Sequence, residues 1–274
     1  DVFHHGGERL MLRLLLLLAA LFFICLVGPA EAAISFVGSC ENSAANGADV
    51  TLTLPSGTTT NDLVIVAYAI GDNDDLNFDM AMVTTGYTEV ADLFLNEIQD
   101  INLGVFWKVM GGTPDTSAAV DGLGGLDAAV VAVCMVFRWV DTTTPMDVTP
   151  TTATALNTMH PNPPSINHNN PTGVWTVIAG ASGHTLGGAG TYTFPTGYVT
   201  NAIDRGQDDT NDATVGMGYR ETPADPEDPE AMIHSGTDSG NFGWGAATLA
   251  LRPAAEGGGA GLASMDDEEQ DALE

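Results

Sequence analysis

Four blocks of this chain return in the same order, each displaced by 111 to 114 residues. Leu63-Val64-Ile65-Val66-Ala67-Tyr68-Ala69-Ile70-Gly71 is echoed by Trp175-Thr176-Val177-Ile178-Ala179-Gly180-Ala181-Ser182-Gly183, and Thr85-Gly86-Tyr87 by Thr196-Gly197-Tyr198. Leu103-Gly104-Val105-Phe106-Trp107-Lys108 corresponds to Val215-Gly216-Met217-Gly218-Tyr219-Arg220, and the block Ala132 to Arg138 corresponds to Ala246 to Arg252. A period this long is not that of a short-repeat solenoid. Two copies fit a pair of similar β units that share or abut one core. Such a duplication constrains architecture far more than it constrains chemistry.

Apolar and β-branched runs alternate with clusters of Gly, Pro, Asn, Asp and Thr, the pattern of strands and turns. In the first half the runs predict strands at 34–37, 50–54, 63–70, 87–95, 101–109 and 128–140. In the second half they predict 165–168, 174–181, 198–203, 213–221, 231–234 and 243–251. No amphipathic helix pattern interrupts them. The expectation is an all-β fold, an antiparallel β-sandwich of jelly-roll-like form built from two repeated halves, about 34–141 and 146–253. The link around Asp141–Pro150 is short, so one continuous body over 33–253 is expected. Ala128–Val140 is apolar on both alternating faces and should be a central strand. Four of the five basic residues in this body fall in equivalent pairs, Lys108 with Arg220 and Arg138 with Arg252, and only Arg205 stands outside. At the ends of apolar strands they read as partners for nearby carboxylates such as Asp141 or Glu221.

Upstream, Arg13 precedes an apolar run from Leu14 to Val27 that ends in Gly28-Pro29-Ala30-Glu31-Ala32. This is the pattern of a secretory signal peptide over 11–32, with Met11 as the expected start, cleavage before Ala33, and 1–10 as upstream extension. The run falls short of the roughly 20 residues a spanning helix needs, and no other apolar segment is long enough. The expected location is therefore secreted or cell-surface, with no membrane span after cleavage. Residues 254–274 turn glycine-rich and then acidic, and read as a disordered tail. The whole chain holds 36 acids and 7 bases, a formal charge of −29; without 1–32 there remain 33 acids and five bases, about −28. That balance disfavours nucleic acid and anionic lipid as partners, both of which need a cationic surface. Screening in a saline medium would relieve the self-repulsion.

Candidate site residues are few. Cys40 and Cys134 follow the leader, and an oxidising compartment permits a bridge between them; the alternative is two small buried side chains. Asp72, Asp74, Asp75 and Asp79, and again Asp204, Asp208, Asp209 and Asp212, gather the hard oxygen ligands that calcium requires. Neither segment matches the EF-hand loop, and a solvated loop is the alternative reading. Tyr87 and Tyr198 open strands after equivalent Thr-Gly turns, where they either present an aromatic face to a glycan or anchor the turn by packing. Trp107, Trp139, Trp175 and Trp244 read as core. Ser182 lacks the nucleophile-elbow pattern, because His184 replaces its final glycine. Glu89, Asp92 and Glu97 could pair for glycoside cleavage, yet any acidic chain offers such candidates. His160, His168, His184 and His234 lack zinc spacing. No catalytic residue is predicted, and calcium is the one cofactor considered.

The succession Asn61-Asp62-Leu63-Val64-Ile65-Val66, Thr85-Gly86-Tyr87-Thr88-Glu89-Val90, Val105-Phe106-Trp107-Lys108-Val109, Phe137-Arg138-Trp139-Val140-Asp141 and Ala247-Thr248-Leu249-Ala250-Leu251-Arg252-Pro253 resembles β-sandwich modules of bacterial extracellular proteins and of phage tail or virion proteins. The resemblance spans 34–253 and carries no fixed catalytic residues. It implies surface or particle structure with an attachment role, and the leader favours the cellular, exported version. The expected function is a non-enzymatic structural or adhesive protein of the cell surface or extracellular matrix. The alternatives are a carbohydrate-binding module, calcium-dependent in one form, and a phage structural protein. Self-assembly or a surface glycan are the partners these readings imply. Specific function should lie where the repeat fails to match: 72–79, 204–212, 222–230 and the tail.

Overall fold

All regular structure among the described residues is β. The computed structural model describes residues 33–255 apart from 74–75, 97–98, 125–127, 170–171, 185–188, 209–210 and 237–241. The expected leader, the acidic tail, Glu97 and the candidate calcium ligands Asp74, Asp75 and Asp209 lie outside the described residues. The first half supplies β1 (Ser35–Ala44), β2 (Val50–Thr53), β3 (Leu63–Asp72), β4 (Thr88–Leu95), β5 (Asp100–Val109), β6 (Ser117–Val120) and β7 (Ala129–Arg138). The second supplies β8 (Thr151–Leu156), β9 (Trp175–His184), β10 (Tyr192–Thr193), β11 (Ile203–Gln207), β12 (Asp212–Arg220), β13 (Ile233–His234) and β14 (Gly243–Leu251). Among the described residues no helix is long and apolar enough to cross a membrane.

Two antiparallel five-stranded sheets carry the fold, ordered β1-β7-β3-β5-β4 and β8-β14-β9-β12-β11. Each half of the chain makes one sheet, and strands displaced by the repeat offset occupy the same place in both orders. Connectivity departs from a jelly roll, because one sheet is complete before the chain enters the other. Ala33–Ala254 form one compact unit. The crossing segment is pinned to the last strand: Asp141 N donates to Arg252 O at 2.9 Å, and Arg252 N to Pro145 O at 2.9 Å.

Strand alternation explains how the sheets stack. Along β3, Leu63, Ile65, Ala67 and Ala69 enter one buried cluster, and Val64, Val66, Tyr68 and Ile70 enter another, since successive side chains point to opposite faces. The first cluster is the layer between the sheets. Trp175, Val177, Ala179 and Ala181 of β9 face into it, with Ala213, Val215, Met217 and Tyr219 of β12. Its side chains are graded in size. At one end stand Gly71, Gly183 and Ala213, and a Cβ on Gly71 would lie 2.7 Å from Asp212 O while one on Gly183 would lie 3.0 Å from Asp100 O. At the other end an aromatic group fills the gap, with Phe137 against Tyr219 (5.5 Å between centroids) and Trp175 stacked on Tyr219 (5.1 Å). The sheets can therefore approach closely only at the glycine end.

The outer faces are covered differently. Sheet one carries bulky Val64, Val66, Tyr68 and Phe106 there, under the small β2-β6 ribbon with Leu52 and Val120. Sheet two carries Gly180, Gly216 and Gly218, and the bulk comes from the covering segments: a Cβ at these glycines would meet Pro161, Met232, Tyr192, Phe194 or Tyr198. Cys40 and Cys134, partners in the β1-β7 register, are joined by a disulfide with Cα atoms 5.0 Å apart.

Several sequence expectations shift. β7 is buried on both faces but lies second from the edge, and β3 holds the centre. Residues 165–168 contribute only a bridge from Ile166 to Glu227, and of 198–203 only Ile203 is strand, the first residue of β11, with 198–202 irregular before it. β6, β8 and β10 escape the hydrophobic pattern, being short or made of Thr and Ala. Trp139 lies beyond β7, 43% exposed with φ of 64°, and so is not core.

Phe137 is fully buried and joins both sheets through Phe36, Trp175 and Tyr219. Phe137→Ala should cost about 3–5 kcal/mol in urea unfolding, whereas Val83→Ala, at a half-exposed site, should stay within about 0.5 kcal/mol.

Candidate functional site

The basic residues do pair with carboxylates; Asp141 lies in the field of Arg252, and the close ion pairs are made with other acids. Lys108 Nζ lies 2.6 Å from Asp115 Oδ2, and Arg220 Nη1 lies 3.0 Å from Glu227 Oε1. Each base thus finds an acid seven residues later, past the end of its strand, and each lies against the equivalent turn glycine, Gly86 (φ 87°) or Gly197 (φ 91°). A side chain at either glycine would be strained by the left-handed backbone and would press on the base. Arg138 grips buried Asp62 with two nitrogens, Nε at 2.8 Å and Nη2 at 2.9 Å. Arg252 Nε lies 3.5 Å from Asp147. Arg205 crosses between the sheets to Ser43 Oγ, at 2.8 Å from Nη2, with Glu41 at 3.8 Å. Asp141 instead accepts from the backbone N–H groups of Thr143 and Thr144, closing the crossing turn.

The tyrosines are not open aromatic faces. Tyr198 is 1% exposed, with its hydroxyl donating to Glu227 Oε1 at 2.8 Å. The missing side chain of Gly218 leaves room for it against the sheet. Tyr87 is half-buried under Lys108, whose Nζ lies 5.4 Å from the ring centre. Both tyrosines thus anchor their turns. Burial pushes both phenols above their usual range.

The calcium candidates among the described residues, Asp72, Asp79, Asp204, Asp208 and Asp212, do not converge. Asp72 continues the even-numbered, outer series of β3 on sheet one, and Asp212 lies on the outer face of sheet two beside Thr214. Asp204 accepts the Tyr192 N–H at 2.8 Å. Asp79 and Asp208 are exposed. Burial, followed by the charge of Asp79, raises the pKa of Asp92. Among the described residues no three His, Cys, Asp or Glu side chains gather to hold a metal ion.

Two pairs of buried polar residues do occupy equivalent positions. In the β3-β5 register Asp72 stands opposite Asp100, and in β9-β12 His184 stands opposite Asp212. Between these pairs, equivalent residues from the two halves meet: Gln99 Nε2 donates to Asn211 Oδ1 at 3.0 Å, in a buried contact.

A buried polar group surrounds His184. His184 Nε2 lies 2.9 Å from Thr214 Oγ1, which lies 3.2 Å from His234 Nε2. The Gly236 N–H donates to His234 Nδ1 at 3.0 Å. In the neutral ring Nε2 then carries the proton and donates to Thr214, whose hydroxyl donates on to His184. The His184 proton is left on Nδ1, 3.4 Å from Asp212 Oδ2. These histidines are 50 residues apart, so no motif spacing could announce them. Ser182 Oγ is 2.7 Å from Tyr192 Oη, and among the described residues it makes no hydrogen bond to a histidine. A serine–base pair for acyl transfer is therefore not assembled there. The chain of bonds fastens β10 and β13 onto sheet two.

No protein-family model, curated protein or solved structure matches this chain.

Burial lowers the pKa of His184 to about 4. Its unfolded value is near 6.5, so below that pH the unfolded state binds a proton that the folded state refuses. Stability should be insensitive to this group above about pH 6.5 and fall by about 3 kcal/mol as pH drops toward 4. Urea unfolding across that range should show this loss, and His184→Gln should flatten it.

Proposed function

We propose that this chain is an exported structural or adhesive β-sandwich of the cell surface or its matrix. One observation carries the reading: the polar chemistry of the sandwich is turned inward. All five basic side chains of the body bind groups of their own fold. His184 and His234 are buried in the bonds that hold a covering strand. A pair of sheets locked to each other and covered on both faces suits a load-bearing module. The leader supports export, and the acidic surface suits a hydrated, saline exterior.

A carbohydrate-binding role has little left to stand on. Tyr198 is buried, Tyr87 is covered by Lys108, and Trp139 is the one exposed aromatic residue among those described.

Immunogold labelling of intact cells should place the protein outside the cell envelope, and deletion of its gene should weaken cell cohesion or surface attachment. Label confined to the cytoplasm, or unchanged cohesion in the deletion strain, would contradict the proposal.

A further inference from the structure

The sandwich has four edge strands, and one differs from the rest. Edges present unpaired backbone groups, and soluble proteins guard them with charge, proline or bulges. β1 carries Glu41, β4 carries Glu89 and Asp92, and β11 carries Asp204 and Arg205. β8, Thr151-Thr152-Ala153-Thr154-Ala155-Leu156, carries no charge, no proline and no glycine. It sits inside the longest uncharged stretch of the chain: from Val148 to Ile203 there is no Asp, Glu, Lys or Arg, in a sequence with 36 acids.

β8 is also incompletely covered. Its residues Thr152, Thr154 and Leu156 stand opposite Ala247, Gly245 and Gly243 of β14, and directly opposed residues share a face. That face is the inner one, since Ala247 belongs to the layer between the sheets. Yet Thr152, Thr154 and Leu156 are exposed, Leu156 by 48%. At the opposite seam, β1 and β11 are tied by Arg205 to Ser43. The corresponding seam between β4 and β8 has partly exposed Leu93 on one side and Leu156 on the other.

We infer that β8 is the surface through which two copies of this chain associate, pairing antiparallel about a two-fold axis to join two five-stranded sheets edge to edge. Charge selects a second copy as the occupant. Each copy carries about −28 without its leader, so approach through most of the surface brings like charges together. At β8 none are brought together. A register centred on Thr154 sets Thr152 opposite Leu156, Ala153 opposite Ala155 and Thr154 opposite itself, with no charge on either side, and β-branched pairs of this kind stabilise adjacent strands. The contact is self-complementary, as a closed two-fold interface requires. Because the interface is uncharged and the bodies repel, association should tighten as salt rises.

The inference rests on the structural reading above and specifies its contact. Sedimentation velocity of the exported full chain, over a range of concentration at low and high salt, tests it. The expected result is a monomer–dimer equilibrium that shifts toward dimer with salt. Thr154→Glu, which sets two like charges near the axis, should weaken it at least about tenfold with an unchanged circular dichroism spectrum and melting temperature. Thr152→Glu should do the same, so that misfolding of one variant leaves the test intact, and Asn42→Glu on the β1 edge should leave the dimer unchanged. A dimer that Thr152→Glu and Thr154→Glu leave intact while both stay folded would overturn β8 as the interface and leave the surface role standing. A wild-type chain that stays monomeric at every concentration and salt would overturn the association itself. Cytoplasmic localisation, read separately by the labelling experiment, is what would remove the surface role.

Discussion

The graded layer between the two sheets is the constraint on which the rest of the structure depends. At one end, Gly71 and Gly183 leave no side chain between their strands and the backbone of the facing sheet, and Gln99 bonds Asn211 across the gap. At the other, Phe36, Phe137, Trp175 and Tyr219 hold the sheets apart. A wedge of this shape can be filled if both sheets run from small to large in the same direction, as the inner series of β3, β7, β9, β12 and β14 do; on β4 and β5, Leu95 and Leu103 fill the space over Gly243 and Gly245 instead. Each fully buried Val, Leu, Ile, Met or Phe side chain of this layer contributes about 1.5–3 kcal/mol through removal from water. The layer is therefore the main source of stability against the conformational entropy of so long a chain.

Around that layer the halves agree in scaffold and differ in covering. The turn glycines, the bases that lie on them and the acids seven residues onward recur as a unit. The outer faces trade bulk instead: residues that sheet one carries itself, such as Tyr68, have Gly180 as counterpart, and the volume is returned by Pro161 and Met232 from two loops. At the strand ends Asp72 opposite Asp100 becomes His184 opposite Asp212. This replacement turns a pair of acids into a histidine-centred bond chain that binds β13. It explains why the polar residues of the second half serve its own closure.

Much of the fold was legible because its inner strands, β3, β5, β7, β9, β12 and β14, are buried on both faces and so read as runs dominated by apolar and small residues. β8 was not legible, since an edge strand of Thr and Ala needs no bulk. The site was less legible, because burial is decided by neighbours distant in sequence. Tyr198 could face a glycan or pack its turn, and only Gly218 on another strand, which opens a place for it, decides for packing. Trp139 looked like a continuation of β7, but the backbone turns left-handed and puts it outside. Asp72 and Asp212 looked like members of two acidic loops, yet they lie on opposite outer faces of the sandwich. The ion pairs were foreseen in kind and missed in partner, since Asp62, Asp115, Asp147 and Glu227 are brought in by turns that no local pattern encodes.

If the graded layer makes the two sheets one cooperative body, neither can open without the other. Native-state hydrogen exchange with increasing denaturant measures this directly. The slowest amides of β3 and β9 should merge into a single opening whose free energy equals that of global unfolding. A separate, lower-energy opening of one sheet while the other stays protected would contradict the account.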